Sequence, residues 1–152
     1  MSNLNTGITF RRAVQSDISF LLALRKQSMD EHLIAAGLVY NDEQHLVRIE
    51  ECFEDSSIIL RGEESIGLIK LGAFSERIHI RQFQILPQHQ GLGLGKRILQ
   101  LIQSKAIERG VPVTLNVLLK NPAKRLYERA GFQVIGQNEL EYQMIWRASA
   151  MS

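Results

Sequence analysis

The sequence predicts an α/β domain that contains at least one parallel crossover. Apolar residues recur at every second or third position along Arg77–Ile85 and alternate with polar ones along Val111–Leu119, as in β-strands. Between these segments, Leu94–Ala106 places apolar residues three and four apart, the spacing of a helix with one buried face. A helix that joins two neighbouring strands usually makes them parallel. This order favours an α/β or α+β fold.

The N-terminal part predicts one strand and two helices. Ile8–Arg11 has the pattern of a short strand, and Ser16 is suited to be the N-cap of the first helix. A second helix is expected to begin at residues 41–42. The intervening segment Met29–Tyr40 fits either an extension of the first helix or a loop.

The remaining strands flank turn residues. Ser57–Leu60 and Ser65–Leu71 enclose a glycine-containing turn and predict a hairpin. A short helix is expected after Asn121, because asparagine caps helices and the following proline suits the first turn. Phe132–Ile135 and Glu141–Trp146 predict two closing strands.

Length and composition limit the classes of function. The 152 residues predict a single domain over residues 1–152, and a net charge of +2 does not require a nucleic-acid partner. One cysteine, Cys52, excludes an internal disulfide and a cysteine-based metal site, and we expect no metal. The N-terminus lacks a signal pattern, and no apolar run could span a membrane. We therefore expect a cytoplasmic protein without a membrane partner.

The strand predicted over Arg77–Ile85 contains a break in its alternation. Ile78 and Ile80 share one parity, whereas Phe83 and Ile85 share the other. Because a strand has a period of two, a regular ladder cannot place all four on one face. Either both faces are buried, or a β-bulge near residues 81–82 resets the parity.

Three glycines precede the predicted helix in the stretch QGLGLGKR, residues 90–97. Their spacing fits neither a P-loop nor the dinucleotide fingerprint. Small residues before a helix N-terminus allow backbone N–H groups to approach a phosphate, and the helix dipole favours an anion there. The alternative is a turn with a tight contact between helix and sheet. The side chains of Gln90, Lys96 and Arg97 would add donors to a phosphate site.

Two motifs resemble the hallmarks of the GNAT superfamily of N-acetyltransferases. Gln90-x-x-Gly93-x-Gly95 resembles the first, and residues 121–132, NPAKRLYERAGF, resemble the second. The resemblance covers residues 77–135. It implies a mixed, strongly twisted sheet of six to seven strands flanked by about four helices, with acetyl-CoA as co-substrate.

The resemblance also implies where acetyl-CoA binds. The pyrophosphate would lie on the glycine loop, the pantetheine arm would pair with the preceding strand, and an asparagine would add a contact. The implied cofactor-binding residues are Phe83, Ile85, Gln90, Gly91, Leu92, Gly93, Leu94, Gly95, Lys96 and Asn121. Asn121 lies one residue closer to Tyr127 than is usual in the family, so that Lys120 occupies the usual place of the asparagine.

Two residues have implied catalytic roles. Tyr127 matches the general acid that protonates the leaving thiolate, and packing in the core is its alternative role. His79 occupies the position of a glutamate base in histone-type members, although a strand histidine is often structural. Other candidates for the base are Glu76, Glu31, His32 and Asp42.

The function implied by the resemblance is direct transfer of the acetyl group to a primary amine in a ternary complex. The acceptor would be a small molecule or a peptide, and a homodimer is left open. The alternative is a CoA-binding regulatory or sensor module that has kept the cofactor site without the chemistry.

Overall fold

The computed structural model describes residues 7–149, which form seven strands and four α-helices. The predicted number of strands, six to seven, and of helices, about four, is confirmed. The strands are β1 Ile8–Arg12, β2 Ser56–Arg61, β3 Glu64–Ala73, β4 Ile78–Ile85, β5 Val113–Leu118, β6 Gln133–Gln137 and β7 Glu141–Trp146. The helices are α1 Ile18–Ala35, α2 Asp42–Glu50, α3 Leu94–Arg109 and α4 Ala123–Arg129.

The strands form one mixed sheet in the order β1-β2-β3-β4-β5-β7-β6. β4 and β5 are parallel, with pairs from Ile78↔Val113 to Ile80↔Leu115, so the predicted parallel crossover through α3 is confirmed. The pairs β1–β2, β2–β3, β5–β7 and β6–β7 are antiparallel. The described β4–β5 pairs do not reach residues 81–82, and the bulge there stays a prediction.

The chain divides into two compact units. The first comprises the chain up to Lys70 together with Gln82–Gly91, and the second comprises Leu71–Arg81 together with the chain from Leu92 onward. Whether they behave as the single domain predicted over residues 1–152 stays a prediction, and both ends of that range lie outside the described residues. Among the described residues, no helix is both long and apolar enough to cross a membrane.

The first unit is built around an apolar cluster that α1 and α2 form with the strands. Its buried members are Ala13, Leu21, Leu24, Ile49, Ile58, Leu68 and Leu86. Leu68 and Leu86 belong to the β3–β4 part of the unit, where Leu86 N–H donates to Ile66 O over 2.8 Å. A Cβ on Gly67 would collide with the backbone oxygen of Gln84, so this close approach requires glycine.

The start of α1 differs from the prediction. Ser16 lies inside a 3₁₀ turn, Gln15–Asp17, and the side chain that makes the hydrogen bonds before α1 is that of Asp17. Its carboxylate accepts 2.8 Å hydrogen bonds from the Val14 N–H and from the two terminal nitrogens of Arg11. These bonds hold the pKa of Asp17 below its usual value, with Arg11 the largest cause. A carboxylate with a guanidinium partner binds more strongly here than a hydroxyl would.

The start of α2 agrees with the prediction. Asn41 Oδ1 accepts from the Gln44 N–H over 2.9 Å, and Gln44 Oε1 accepts from the Asn41 N–H over 2.8 Å. This is a complete capping box. The undecided segment Met29–Tyr40 is divided, since α1 continues to Ala35 and the rest is loop.

The second unit contains α3, β5, α4, β6 and β7. α3 ends at Gly110, which has a left-handed conformation at φ 68° and donates to Ile107 O. Gln103 on α3 donates to Ala130 O at the end of α4 over 2.8 Å. This bond fixes the end of α4 against α3.

Candidate active site

Two glycines of the loop, Gly91 and Gly93, face open space. Gly91 and Gly93 have φ values of 77° and 78°, a left-handed conformation that glycine adopts without strain. A Cβ at either position would meet no protein atom within 4 Å. Neither glycine is therefore required by a tight contact between helix and sheet, whereas the turn of the alternative explanation is present.

The first turn of α3 has no side-chain cap. Gly93 precedes the helix without a side-chain hydrogen bond, and the turn contains no acidic residue. Lys96 and Arg97 lie in this turn, Leu92 is exposed before it, and Leu94 is buried. An uncapped N-terminus of a sixteen-residue helix with two basic side chains is suited to bind a phosphate or pyrophosphate. These residues fit the phosphates of acetyl-CoA.

Part of β4 directs its backbone groups away from β3. Leu86 N–H donates to Ile66 O, so the groups of even-numbered residues here point towards β3. Because directions alternate along a strand, the N–H and C=O groups of Phe83 and Ile85 point to the opposite side. One of them has a partner already, since Gln90 Nε2 donates to Ile85 O over 2.8 Å. Gln90 thus folds back on the strand end.

Tyr127 is buried by packing that leaves its hydroxyl unbonded. The ring makes an edge-to-face contact with Phe132, with centroids 5.9 Å apart. Burial raises the pKa of Tyr127 to about 12. The hydroxyl has no hydrogen-bond partner among residues 7–149, and it is not one of the fully enclosed polar atoms that lack a partner. Its oxygen therefore reaches the protein surface as a protonated group.

The motif around Tyr127 has a direct physical explanation. Gly131 has a φ of 98°, and a Cβ there would lie 3.1 Å from the ring of Trp146. This turn lets Phe132 N–H donate to Tyr127 O over 3.0 Å, which brings Phe132 against the tyrosine ring. The glycine and the phenylalanine of the motif therefore position Tyr127.

Asn121 acts as a helix cap in this structure. Its Oδ1 accepts from the Ala123 N–H over 2.9 Å, and its backbone oxygen accepts from the Lys124 N–H. Lys120, which occupies the family's usual asparagine position, is exposed. The cap explains Asn121 without a ligand, and the cofactor contact of this residue stays a prediction.

His79 is held on β4 by its neighbour on β5. Its Nδ1 lies 2.7 Å from Thr114 Oγ1, and His79 pairs with Thr114 in the parallel ladder. Burial lowers the pKa of His79, and the charges of Arg77 and Arg81 lower it further. The imidazole is therefore neutral at pH 7, the form that a general base requires.

The alternative bases differ in their surroundings. Asp42 forms a 3.0 Å ion pair with Lys26, and the carboxylate of exposed Glu76 accepts from Ser75. Glu31 is exposed on α1, and His32 is half-buried in the last turns of that helix.

The first unit contains a buried polar network that the sequence did not reveal. Arg25 Nε donates to His45 Nδ1 over 3.3 Å, and His45 Nε2 lies 2.7 Å from Asp30 Oδ1. Arg25 Nη1 donates to Gln82 Oε1 over 3.1 Å, and Gln82 Nε2 donates to Arg48 O over 2.9 Å. The network joins α1 and α2 to Gln82, one residue before Phe83.

Comparison with known families assigns the chain. The sequence profile described as "Acetyltransferase (GNAT) domain" matches residues 39–147, well over half of the chain. The chain belongs to the GNAT acetyltransferase family. A search of curated protein sequences found no match. The predicted family, enzyme class and co-substrate, acetyl-CoA, are thereby confirmed.

Solved structures of the same fold include several acetyltransferases. PaiA N-acetyltransferase from Thermoplasma acidophilum, in complex with coenzyme A, has a TM-score of 0.71 at 16% identity and covers 93% of this GNAT chain and 99% of its own. The ribosomal-protein-S18-alanine N-acetyltransferase from Escherichia coli has a TM-score of 0.67 at 15% identity, with coverages of 91% and 92%. Arabidopsis thaliana Naa50, in complex with the bisubstrate analogue CoA-Ac-MVNAL, has a TM-score of 0.66 at 14% identity, with coverages of 93% and 99%. At these identities the likeness establishes the fold.

Proposed function

We propose that this protein is an N-acetyltransferase that transfers the acetyl group of acetyl-CoA directly to a primary amine. The observation that carries the proposal is the uncapped N-terminus of α3 behind two open, left-handed glycines. Backbone N–H groups of Gly91 to Lys96 would hold the pyrophosphate, and Lys96 would add charge. Family membership supplies the identity of the co-substrate.

The pantetheine arm would run along the free side of β4. The backbone groups of Phe83 and Ile85 point away from β3 and would pair with the amides of the arm, as an added strand does. Since the phosphates bind beyond the C-terminal end of β4, the acetyl end would lie towards Gln82. A backbone N–H of this stretch would stabilise the oxyanion.

The chemical step needs two proton transfers. The neutral amine attacks the thioester carbon, a C–N bond forms, and the C–S bond breaks with its electron pair on sulfur. The amine nitrogen gives a proton to the neutral imidazole of His79, directly or through water, and the thiolate takes the phenolic proton of Tyr127. The raised pKa keeps Tyr127 protonated at neutral pH, and the lowered pKa keeps His79 unprotonated, so each starts in the form that its transfer needs.

A pair of matched glycine variants tests the cofactor site. Gly93 and Gly110 lie at opposite ends of α3, both are left-handed, and a Cβ on either meets no atom within 4 Å. Replacement by alanine at either position should therefore destabilise the protein by a similar amount, about 1 kcal/mol. Only Gly93→Ala should weaken binding, because its methyl group blocks the approach of the pyrophosphate.

The measurement is a thermal-shift titration with acetyl-CoA, followed by an assay of free thiol with a panel of amines. Wild type and Gly110→Ala should be stabilised by acetyl-CoA by mass action, and Gly93→Ala much less. An equal response of the two variants would refute the pyrophosphate site. Binding without thiol release for any amine would favour the regulatory module over the enzyme.

A further inference from the structure

We propose that Arg25, presented by the network around Gln82, binds a carboxylate of the acceptor, so that the substrate is an amine that carries a carboxylate, such as an amino acid. The inference deepens the proposed function and rests on it. All residues that carry it belong to the first compact unit.

Arg25 is a buried cation whose hydrogen-bond partners are neutral. The residue is 4% exposed, and its guanidinium donates to the Nδ1 of His45 and to the amide oxygen of Gln82. Its link to a carboxylate, Asp30, passes through His45. Burial, reinforced by the charge of Arg48, lowers the pKa of Arg25 to about 10. A buried charge is normally paired with an opposite charge, so a direct anionic partner is expected.

One end of the guanidinium is open. The bonds of Arg25 use Nε and Nη1, and Nη2 has no partner among the described residues. Nη2 is also not one of the fully enclosed polar atoms without a partner, so it reaches the surface. A carboxylate at this nitrogen would form the charge-assisted hydrogen bond that arginine makes best.

The network fixes the direction of this open end. Because His45 Nδ1 accepts from Arg25, its Nε2 carries the proton and donates to Asp30. Gln82 is fixed in the same way, since its oxygen faces Arg25 and its nitrogen donates to Arg48 O. Such preorganisation reduces the entropy lost when a ligand binds.

A second polar group on this face of β4 also lacks a partner. Gln84 follows Gln82 by two residues and therefore lies on the same face. It is 7% exposed, and its Oε1 is fully enclosed without a hydrogen bond. This face of β4 is therefore not satisfied by the chain alone, as expected beside a binding site for a polar ligand.

The position fits an acceptor site. Gln82 precedes Phe83, and in the proposed function the acetyl end of the arm lies at this end of the paired stretch. An amine whose carboxylate is bound at Arg25 would then have its nitrogen directed towards the thioester. The site would discriminate by charge, because an acceptor without the carboxylate leaves a buried cation unpaired.

The test compares α-amino acids with their carboxamides at saturating acetyl-CoA. We expect the kcat/KM of an acetylated acid to exceed that of its amide by about ten- to a hundredfold, mainly through KM. The amine of the carboxamide is less basic, so more of it is unprotonated and able to attack at neutral pH. This difference favours the carboxamide and therefore works against the expected result.

Two variants and a control assign the preference to Arg25. Arg25→Lys keeps the charge but loses the planar donors, and Gln82→Glu gives Arg25 a carboxylate within the chain. Each should bring the acid-to-amide ratio towards one, and Gln82→Glu decides the matter if Arg25→Lys does not fold. Arg61→Lys, at an exposed arginine of β2, should keep the full ratio.

The outcomes separate the two proposals. Equal kcat/KM values for acids and amides, or a preference that survives both variants, would overturn the carboxylate site and leave the N-acetyltransferase standing. If no amine is acetylated, thermal shifts with the same acids and amides decide. Stabilisation by the acid alone that both variants abolish supports the carboxylate site, and an equal effect of acid and amide overturns it.

Discussion

At the scale of single residues, the environment of Tyr127 keeps its hydroxyl protonated, as its proposed role requires. Burial against Phe132 raises the pKa to about 12, so the phenol carries its proton throughout the neutral range. Its oxygen nevertheless reaches the surface without a hydrogen bond to the described residues. The phenol is therefore protonated at neutral pH, the form from which a general acid donates.

Replacing Tyr127 by phenylalanine tests this role. The ring and its contact with Phe132 are kept, so stability and acetyl-CoA affinity should change little. The chemical step should slow about a hundredfold, the usual scale for one general acid. The measurement is kcat at saturating acetyl-CoA and amine, with the Kd of acetyl-CoA determined in parallel.

Tyr142→Phe is the matched control. Tyr142 lies on β7 and is half-buried, with Lys124 Nζ 4.4 Å from its ring centroid. Its hydroxyl has no proposed catalytic role, so kcat should not change. An unchanged kcat in Tyr127→Phe would make Tyr127 a packing residue, and weaker binding at an unchanged kcat would make it a cofactor contact.

At the scale of secondary-structure elements, α2 is stabilised at both ends. Its N-terminus has the capping box of Asn41 and Gln44. Its C-terminal carbonyls accept from Lys70 on β3, whose Nζ donates to the oxygens of Arg48, Ile49 and Glu51 over 3.0, 3.1 and 2.6 Å. The negative end of the helix dipole thus compensates a buried ammonium group.

Lys70→Met removes that ammonium group while keeping the length of the side chain. Lys70 is 1% exposed, and without it the carbonyls of Ile49 and Glu51 would lose this donor. We expect a loss of about 2–4 kcal/mol in the free energy of unfolding, measured by urea denaturation. Lys26→Met, which breaks an exposed pair with Asp42, should cost under about 1 kcal/mol. Equal losses in the two variants would contradict the assignment.

Elements with local signals were predicted well. The start of α2 follows from Asn41, the end of α3 follows from Gly110, and β5 follows from strict alternation. The prediction of the start of α1 was wrong, because Asp17 accepts hydrogen bonds from Arg11 that a local pattern does not reveal. Sequence patterns within a few residues therefore predict where a helix or strand lies, and contacts between residues further apart in the chain shift its ends.

The network of Arg25 was missed for the same reason. Asp30 and His45 lie fifteen residues apart on different helices, and Gln82 lies 57 residues from Arg25. A lone arginine or histidine on a helix carries no signal of such a contact. The motifs of the glycine loop and of Tyr127 were found because each lies within a short continuous stretch.

At the scale of the whole molecule, the two compact units are not separate pieces of chain. β3 begins in the first unit and ends in the second, and β4 begins in the second and ends in the first. A unit cut from the chain would therefore lose part of a strand. We expect the protein to unfold in one cooperative transition, as the predicted single domain requires.

Titratable groups in both units should make the free energy of this one unfolding transition depend on pH. Asp17 in the first unit has a lowered pKa, so its stabilisation is complete above the unfolded value near 3.8 and is lost as the pH falls through the lower folded value. His79 in the second unit also has a lowered pKa. Because its unfolded form binds a proton near pH 6.5 and the folded form resists it, stability falls as the pH drops below 6.5.

Two probes can show whether the transition is shared. Trp146, the single tryptophan, reports on the second unit by fluorescence, whereas far-UV circular dichroism reports on the whole chain.

Asp17→Asn removes the ion pair with Arg11 in the first unit and should cost about 1–2 kcal/mol at pH 7. In a cooperative protein, the fluorescence midpoint of Trp146 in urea shifts as far as the circular-dichroism midpoint. His79→Gln should flatten the fall in stability between pH 6.5 and 5 for both probes. If Asp17→Asn leaves the fluorescence midpoint of Trp146 unchanged and the circular-dichroism curve has two steps, the units unfold independently. That result would overturn the single domain.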